Sequence, residues 1–176
     1  MKRCLIIIDF QNDFVDGTLG FVSAKSLDSL IVNRIKDARG NNESVIFTQD
    51  THDKDYLNSY EGNKLPVEHC IKGTTGHEIY GNVKNEILST DKIFYKNTFP
   101  SLELANYLKE QNFDEIEVCG LVSNICVLSN VVMARSALPN AVITVDYNLT
   151  KSFDNDMNDK CFDILKGLLI EVRNND

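Results

Sequence analysis

The fold is first indicated by the segment Cys4-Leu5-Ile6-Ile7-Ile8-Asp9, a short, continuously apolar run that ends abruptly at a carboxylate. Such a run is typical of a strand whose two faces are both covered, as in a parallel sheet. Five further runs of this kind follow, at residues 44–48, 92–95, 115–119, 142–145 and 168–172. Together with residues 4–8 they predict a buried six-stranded sheet.

Helical patterns lie between these strands. Ser26 precedes apolar residues at helical spacing and is predicted to be an N-cap, and a second helix is predicted to begin at Ser101. A third helix, apolar nearly all round, is predicted from about Asn124 to Ala134, and a fourth covers residues 157–166. Alternating strands and helices predict an α/β fold, a doubly wound three-layer sandwich with a mostly parallel sheet.

Size and charge limit the class of protein. With 176 residues, 43% of them hydrophobic, the chain is predicted to form one domain over residues 1–176. The net charge of −8 opposes binding to nucleic acid or anionic lipid and favours a small-molecule partner. The apolar run at residues 4–8 is too short for a signal peptide or a membrane span, so a cytoplasmic protein is expected. Five irregularly spaced cysteines without a CxxC pair suggest neither a disulfide framework nor a thiolate zinc site.

Reactive side chains follow four of the predicted strands. They are Asp9, the pair Asp50 and His52, Lys96, and Cys126 at the start of the apolar helix. In open α/β sheets the carboxyl ends of strands meet at one ligand-binding edge. Taken singly, Asp9 also suits a turn cap, Lys96 a solvated lysine and Cys126 a small buried apolar residue. Together they form a set suited to acyl transfer through a thioester, with a thiolate accessible at neutral pH near a helix start and an ammonium.

Potential metal ligands follow the second strand. Asp50 and His52 are two residues apart, so that an extended backbone directs both to one side, and His69 lies in the long segment that follows. One carboxylate with two imidazoles suits Zn(II), Mn(II) or Fe(II). Ordinary loop residues remain the alternative for this set, and His77 is interpreted as a turn or surface residue.

Six motifs occur in a fixed order along residues 6–127. They are Ile6-Ile7-Ile8-Asp9-Phe10-Gln11-Asn12-Asp13-Phe14, Gly17-Thr18-Leu19-Gly20, Thr48-Gln49-Asp50-Thr51-His52, His69-Cys70-Ile71-Lys72-Gly73-Thr74-Thr75-Gly76, Lys96-Asn97-Thr98-Phe99 and Gly120-Leu121-Val122-Ser123-Asn124-Ile125-Cys126-Val127. In this order they resemble the isochorismatase-like cysteine hydrolases, and in particular the nicotinamidase branch of that family.

The resemblance implies a Rossmann-like sheet, the isochorismatase-like hydrolase fold, and a catalytic triad. The triad would be Asp9, Lys96 and Cys126. The resemblance also implies a non-proline cis peptide bond between Leu121 and Val122, and an oxyanion hole formed by the backbone N–H groups of Val122 and Cys126.

A divalent metal ion is implied as cofactor. Asp50, His52 and His69 would hold it, with zinc as the leading choice and manganese or iron as alternatives, and the ion would anchor the substrate's ring nitrogen. Glu61 is either a fourth ligand, bound directly or through water, or a solvated loop residue.

The implied substrate pocket includes Phe14 and Leu19. Nicotinamidases usually place an aromatic residue, often Trp, before the metal-binding histidine, but residues 64–69 contain none and the chain has no Trp. Tyr60 is either a replacement or an ordinary loop tyrosine.

The expected reaction is hydrolysis of nicotinamide to nicotinate and ammonia by a cysteine amidohydrolase, through a thioester, and a homo-oligomer is expected. One alternative is a related hydrolase acting on another small amide or carbamoyl compound. A second is a non-catalytic binding or redox-sensing homologue that uses Cys126 as a reactive thiol. Vinyl-ether cleavage is disfavoured, because it needs neither the cysteine nor the Asp-x-His pair.

Overall fold

A six-stranded sheet runs through the centre of the protein. The computed structural model describes residues 1–173. The strands are β1 (Arg3–Ile8), β2 (Ser44–Asp50), β3 (Lys92–Lys96), β4 (Glu115–Leu121), β5 (Val142–Lys151) and β6 (Glu171–Arg173). Their order is β3-β2-β1-β4-β5-β6, and every pairing is parallel. The predicted doubly wound α/β fold is therefore confirmed, and the sheet is parallel throughout the described residues.

Both faces of the central strand are covered. Side chains alternate across a strand, so Leu5 and Ile7 of β1 enter one core cluster while Cys4, Ile6 and Ile8 enter the other. Helix α2 (Leu27–Gly40) covers the first face, and α4 (Leu102–Gln111), α5 (Leu128–Ala137) and α6 (Asn155–Gly167) cover the second. This double coverage is the physical reason for the continuous hydrophobicity of β1.

The two predicted N-caps have different outcomes. The Ser101 hydroxyl accepts a hydrogen bond from the Leu104 N–H at 3.1 Å, so it caps α4 as predicted. Ser26 stands at the N-cap position of α2 as predicted, but its side chain makes no capping hydrogen bond. Its hydroxyl donates to the carbonyl of Ser23 at 2.7 Å instead, because a 3-10 turn over Val22–Ser26 runs directly into α2.

Two further predicted elements differ in the structure. The helix predicted from Asn124 begins instead with a π-helical turn over Ser123–Val127, and regular α-helix starts only at Leu128. The last strand begins at Glu171 rather than at residue 168, because α6 extends to Gly167 and the chain then turns. Apolar composition alone does not distinguish the end of a helix from the start of a strand.

Residues 51–91 fold over the carboxyl ends of β1 and β2. This segment contains the short helix α3 (Tyr60–Lys64) and three 3-10 turns, while α1 (Asn12–Val15) directly follows β1. Isolated bridges join Gln11 to Ile79 and His52 to Ile71. These contacts hold the long segment against the edge where the reactive side chains were predicted. None of the helices in residues 1–173 has the length and apolar character needed to cross a membrane.

Candidate active site

Asp9, Lys96 and Cys126 meet at the carboxyl edge of the sheet. The Lys96 ammonium lies 2.6 Å from Asp9 Oδ2 and 3.8 Å from the Cys126 sulfur. All three residues are at most 5% exposed. The structure thus brings together three side chains that come from the ends of β1 and β3 and from the turn after β4.

Asp9 is held in a conformation that directs its carboxylate inward. Its φ of 46° lies in the left-handed region, which non-glycine residues seldom adopt. Thr48 stabilises this conformation twice, because its hydroxyl donates to Asp9 Oδ1 at 2.6 Å and accepts the Asp9 N–H at 3.2 Å. The other carboxylate oxygen is buried and, apart from the ion pair with Lys96, has no hydrogen-bond partner among residues 1–173. That oxygen is available to accept a proton.

The environment of the thiol favours its protonated form. Burial raises the pKa of Cys126 well above its usual value, and Asp9 and Asp50 raise it further, while Lys96 lowers it. This environment opposes the accessible thiolate that the sequence analysis expected, although Lys96 favours it. Burial and two carboxylates outweigh one ammonium and the start of a helix. Burial also raises the pKa of Asp9, against the opposing effect of Lys96.

Lys96 remains the cation of this group. Burial alone would lower its pKa, but Asp9, Cys126 and Asp50 raise it above its usual value. Its ammonium also donates to the carbonyl oxygen of Thr98 at 3.0 Å. A charge fixed in this way can stabilise negative charge as it moves between Asp9 and the sulfur.

The turn that carries Cys126 has an unusual backbone. The peptide bond between Leu121 and Val122 is cis, which confirms the cis bond implied by the resemblance. Gly120 has a φ of 108°, and a Cβ at this position would collide with the backbone of Ile8. Only glycine therefore allows β4 to approach β1 this closely just before the turn.

The same turn is fastened to α6. The Ser123 hydroxyl donates to Asn158 Oδ1 at 2.6 Å, and the Cys161 thiol donates to the Ser123 carbonyl at 3.2 Å. Asn158 and Cys161 are both buried. Cys161 thus has a packing and hydrogen-bonding role, unlike Cys126.

Asp50, His52 and His69 form the predicted cluster of metal-ligating atoms. All three ligand atoms lie within 4.8 Å of one another. Asp50 Oδ2 is 3.0 Å from His52 Nε2 and 3.3 Å from His69 Nε2. His69 Nδ1 donates to the carbonyl of Val67 at 2.8 Å, which leaves the Nε2 lone pair facing the cluster. This donor set and tautomer fit a divalent cation such as Zn(II).

Backbone contacts position the cluster. Gln11 binds Asp50 twice, because its Nε2 donates to the Asp50 carbonyl at 2.9 Å and its Oε1 accepts the Asp50 N–H at 2.7 Å. The loop that carries His69 is held at Cys70, whose N–H donates to Asp13 Oδ2 at 2.8 Å. Asp13 and Gln11 belong to the first motif of the sequence but were given no role there.

Two contacts extend this cluster. Glu61 Oε1 lies 3.8 Å from the Nε2 atoms of both His52 and His69, close enough for direct or water-mediated ligation after a small movement. Asp50 Oδ1 lies 3.4 Å from the Lys96 ammonium, so the cluster and the thiol group share one cation. Burial would raise the pKa of Asp50, but the contacts with the His52 and His69 imidazoles and the charge of Lys96 lower it below its usual value.

A cavity of about 610 Å³ opens onto both groups. Phe14 and Leu19 line it, as predicted, and Cys126 and His69 supply polar atoms to its wall. The wall is otherwise largely apolar, which suits a small substrate with a flat apolar body.

Four apolar lining residues had no pocket role in the sequence analysis: Leu65, Phe99, Ile125 and Phe153. Phe153 follows the end of β5, but the strand predicted from the sequence ended at residue 145, so the rule that strand ends meet at one edge did not reach it. Tyr60 is 84% exposed and does not line the cavity, which supports the interpretation of an ordinary loop tyrosine. Leu65 occupies the wall in the segment where an aromatic residue was expected.

A buried thiol, a carboxylate and an ammonium beside an apolar cavity are suited to a hydrolytic enzyme, and similarity to nicotinamidases indicates an amidohydrolase. The chain belongs to the isochorismatase family, since the Isochorismatase domain matches residues 3–171.

Similar proteins cover most of the chain. The isochorismatase family protein PncA of Bacillus subtilis is 33% identical over 146 residues, which are 76% of this chain and 79% of that protein. The crystal structure of nicotinamidase PncA from Bacillus subtilis matches with a TM-score of 0.85 and 27% identity, covering 98% of this chain and 99% of that one. The pyrazinamidase of Pyrococcus horikoshii, solved in complex with zinc, shares the fold with a TM-score of 0.86 at 18% identity, covering 99% of both chains.

Proposed function

We propose that this enzyme hydrolyses small aromatic carboxamides, with nicotinamide to nicotinate and ammonia as the leading reaction. The observation that carries the proposal is the contact of the buried Lys96 ammonium with both Asp9, at 2.6 Å, and the Cys126 sulfur, at 3.8 Å. The similarity to a nicotinamidase over nearly the whole chain supports the substrate.

In the first half of the proposed reaction, Cys126 attacks the amide carbonyl carbon. Because the resting sulfur is protonated, Asp9 accepts the thiol proton as the bond from sulfur to carbon forms. Lys96 stabilises the developing negative charge throughout. Asp9 then donates the proton to the amide nitrogen, the bond from carbon to nitrogen breaks, and ammonia leaves a thioester.

In the second half, water replaces the sulfur. Asp9 accepts a proton from water, the oxygen attacks the thioester carbon, and the bond from carbon to sulfur breaks. The acid product leaves and Cys126 regains the proton. One carboxylate therefore serves as base and acid in turn, a role open to a side chain within reach of the reacting atoms.

The oxyanion formed in both halves needs hydrogen-bond donors. Val122 and Cys126 both line the cavity, and the proposed donors are their backbone N–H groups. Loss of one such donor typically lowers the rate by about 100- to 1000-fold. Val122 completes the cis peptide bond, and Cys126 lies within the π-helical turn that follows it.

Asp50, His52 and His69 are proposed to hold a divalent metal ion, with zinc as the leading choice and Glu61 as a further ligand. The proximity of their donor atoms and the His69 tautomer support this assignment. The zinc complex of the Pyrococcus horikoshii protein is consistent with it. The ion would act as a Lewis acid that binds the ring nitrogen of the substrate.

A second substrate class is favoured by the cavity itself. Its volume of about 610 Å³ lies well within the range of drug-sized ligand sites, and Leu65 fills less of it than an aromatic residue would. Other small amides or carbamoyl compounds are therefore the alternative substrates.

Ammonia release tests the proposal. Nicotinamide, pyrazinamide, benzamide and a carbamoyl compound are compared with the wild-type enzyme and with Cys126→Ala, before and after chelation and after zinc is restored. We expect nicotinamide to be hydrolysed fastest, and Cys126→Ala to be inactive yet folded. Chelation is expected to slow nicotinamide hydrolysis more than benzamide hydrolysis, because benzamide lacks the ring nitrogen.

Three results would contradict parts of the proposal. Near wild-type ammonia release by Cys126→Ala would show that Cys126 is not the nucleophile. If the wild-type protein released no ammonia from any of these amides, the proposed amidohydrolase activity would be refuted. If chelation lowered the rates with nicotinamide and benzamide equally, the metal would not be binding the ring nitrogen.

A further inference from the structure

Asn130 is a buried side chain that the proposed reaction does not use. It lies on α5, one helical turn after Cys126, and is 3% exposed. Its Nδ2 donates to the carbonyls of Cys126 at 2.8 Å and Phe99 at 3.1 Å, and its Oδ1 accepts the N–H of Ser101 at 3.0 Å. Both N–H groups and the oxygen of the amide are therefore engaged.

These hydrogen bonds join two segments that are remote in sequence. One is the turn that carries Cys126, and the other is the loop after β3, residues 97–101, which follows directly on Lys96. Buried backbone groups need hydrogen-bond partners, and Asn130 supplies them to this loop at Phe99 and Ser101. The loop is thus fastened to the helix of the nucleophile.

Lys96 holds the same loop from the other side. Its ammonium donates to the Thr98 carbonyl at 3.0 Å while it contacts Asp9 and the Cys126 sulfur. Phe99 is next to Thr98, accepts one of the hydrogen bonds from Asn130, and lines the cavity. Movement of the loop would therefore change the separation of Lys96 and Cys126 and also the cavity wall.

We infer that Asn130 is a positioning residue that sets the distance between Lys96 and the Cys126 sulfur and the place of Phe99 in the cavity wall. The inference rests on the proposed function, because Asn130 acts through Cys126 and Lys96. Reacting groups tolerate little displacement, since a shift of about 1 Å can lower a rate by about 100-fold.

Two variants distinguish the bridge from Asn130 to the loop at residues 97–101 from the hydrogen bond that Asn130 makes to Cys126 on the same helical segment. Asn130→Asp keeps an oxygen for the Ser101 N–H but sets an oxygen against the carbonyls of Cys126 and Phe99, so both donated hydrogen bonds are lost. Asn130→Ser is milder, because a serine hydroxyl on a helix can donate to the carbonyl four residues earlier, here that of Cys126. Serine is too short to replace the contact with Phe99, so it removes the bridge and keeps the helical contact.

Asp28→Ala is the matched control. The Asp28 carboxylate also accepts three hydrogen bonds, from Asn82 N at 2.9 Å, Asn82 Nδ2 at 2.7 Å and Val83 N at 3.2 Å. These bonds attach α2 to the 3-10 turn over Val83–Glu86 and do not involve the cavity. This variant measures the effect of losing three hydrogen bonds without disturbing the site.

The first readout is nicotinamide hydrolysis by folded protein, with kcat and KM measured separately. For both Asn130 variants we expect kcat to fall by about tenfold or more, with a smaller change in KM, because the displaced groups act in the transition state. Asp28→Ala should lose thermal stability and keep its kcat. A folded Asn130→Ser variant with the kcat of the wild type would overturn the inference, and this variant decides the question where Asn130→Asp fails to fold.

The second readout needs no substrate. Iodoacetamide alkylates Cys126, and mass spectrometry of the peptide containing it gives the rate. We expect alkylation of Asn130→Ser to be slower by about fivefold or more, because a displaced ammonium supports the thiolate less well. A rate equal to or above that of the wild type overturns the inference, whatever the ammonia assay gives. A wild-type enzyme that is alkylated but releases no ammonia from any amide refutes the proposed function instead.

Discussion

The two ends of the sheet bury charged side chains in different ways. At the amino ends of the strands, Arg34 contacts Glu43 at 2.6 Å and Glu117 at 3.1 Å, and Arg173 contacts Glu117 at 3.0 Å. At the carboxyl ends one ammonium, that of Lys96, contacts two carboxylates at 2.6 and 3.4 Å, and one oxygen of Asp9 has no other partner in the described residues. Each end has a cavity, of about 500 Å³ at the amino ends and about 610 Å³ at the carboxyl ends.

This fold places ion pairs that stabilise it at one end of the sheet and the reactive group at the other. Guanidinium groups with several donors satisfy the carboxylates at the amino ends, so those charges are fixed in ion pairs. At the carboxyl ends a shared cation leaves a carboxylate able to accept a proton from a neighbouring thiol.

Substitution of Asp9 should have the largest effect. Asp9→Asn keeps the size of the side chain but cannot accept the thiol proton. We expect kcat for ammonia release to fall by about 100- to 10,000-fold, with little loss of folded protein. Asp28→Asn, which changes a carboxylate outside the cavity, should leave kcat unchanged. A kcat for Asp9→Asn within about tenfold of the wild type would show that Asp9 is not the base.

Substitution at the other end should affect stability alone. Arg34→Met leaves the buried Glu43 carboxylate without its cation and Glu117 with Arg173 alone, which is expected to lower the free energy of unfolding by roughly 3 kcal/mol. Urea unfolding measures this loss, and kcat under native conditions should not change. Arg3→Met is the matched control, because its partner Glu115 and Arg3 itself are exposed and their pair is expected to contribute less than about 1 kcal/mol.

Two results would contradict this separation of roles. Equal losses of stability for Arg34→Met and Arg3→Met would show that burial does not distinguish the two ion pairs. A lowered kcat for folded Arg34→Met would show that the two ends of the sheet are coupled.

The sequence predicted the positions that follow from the order of residues along the chain. Asp9, Asp50 and Lys96 terminate apolar runs, and parallel strands place such ends at one edge, so their meeting could be predicted without coordinates. The cis peptide bond before Val122 came from the resemblance and not from any local pattern. Phe14 and Leu19 were likewise placed in the cavity by the motifs that contain them.

Features that depend on three-dimensional burial could not be predicted in this way. The raised pKa of the Cys126 thiol results from complete burial beside two carboxylates, whereas the sequence showed only a helix start and an ammonium. Asn130 lies within an apolar helix, and nothing in its neighbours indicates that its amide reaches a loop about 30 residues away in sequence. The π-helical turn at Ser123–Val127 has the same composition as an ordinary first turn of helix.

The role of Glu61 in the metal-ligating cluster at the carboxyl ends can be tested directly. If Glu61 is a ligand, Glu61→Gln should weaken zinc binding by roughly 10- to 100-fold, as measured by competition with a chelating dye. Glu68→Gln removes a charge from an exposed residue of the same segment and should leave zinc binding unchanged. Equal affinities for the two variants would identify Glu61 as a solvated loop residue, the alternative that its sequence position left open.

The smallest expected effect concerns Phe153, at the rim of the cavity. Its ring lines the cavity and lies 6.2 Å from that of Phe21, but it is 64% exposed, so a substrate would cover only part of it. Burial of about half an aromatic side chain contributes about 1 kcal/mol, which predicts that Phe153→Ala raises KM for nicotinamide by about fivefold. Because the ring is remote from the bonds that change, substrate and transition state should lose the same binding energy, and kcat should stay constant.

Leu169→Ala, which changes an exposed apolar residue outside the cavity, is the control. A fall in kcat with unchanged KM would instead mean that Phe153 acts in the transition state, so that the reactive region extends to the rim of the cavity and not only around the shared cation.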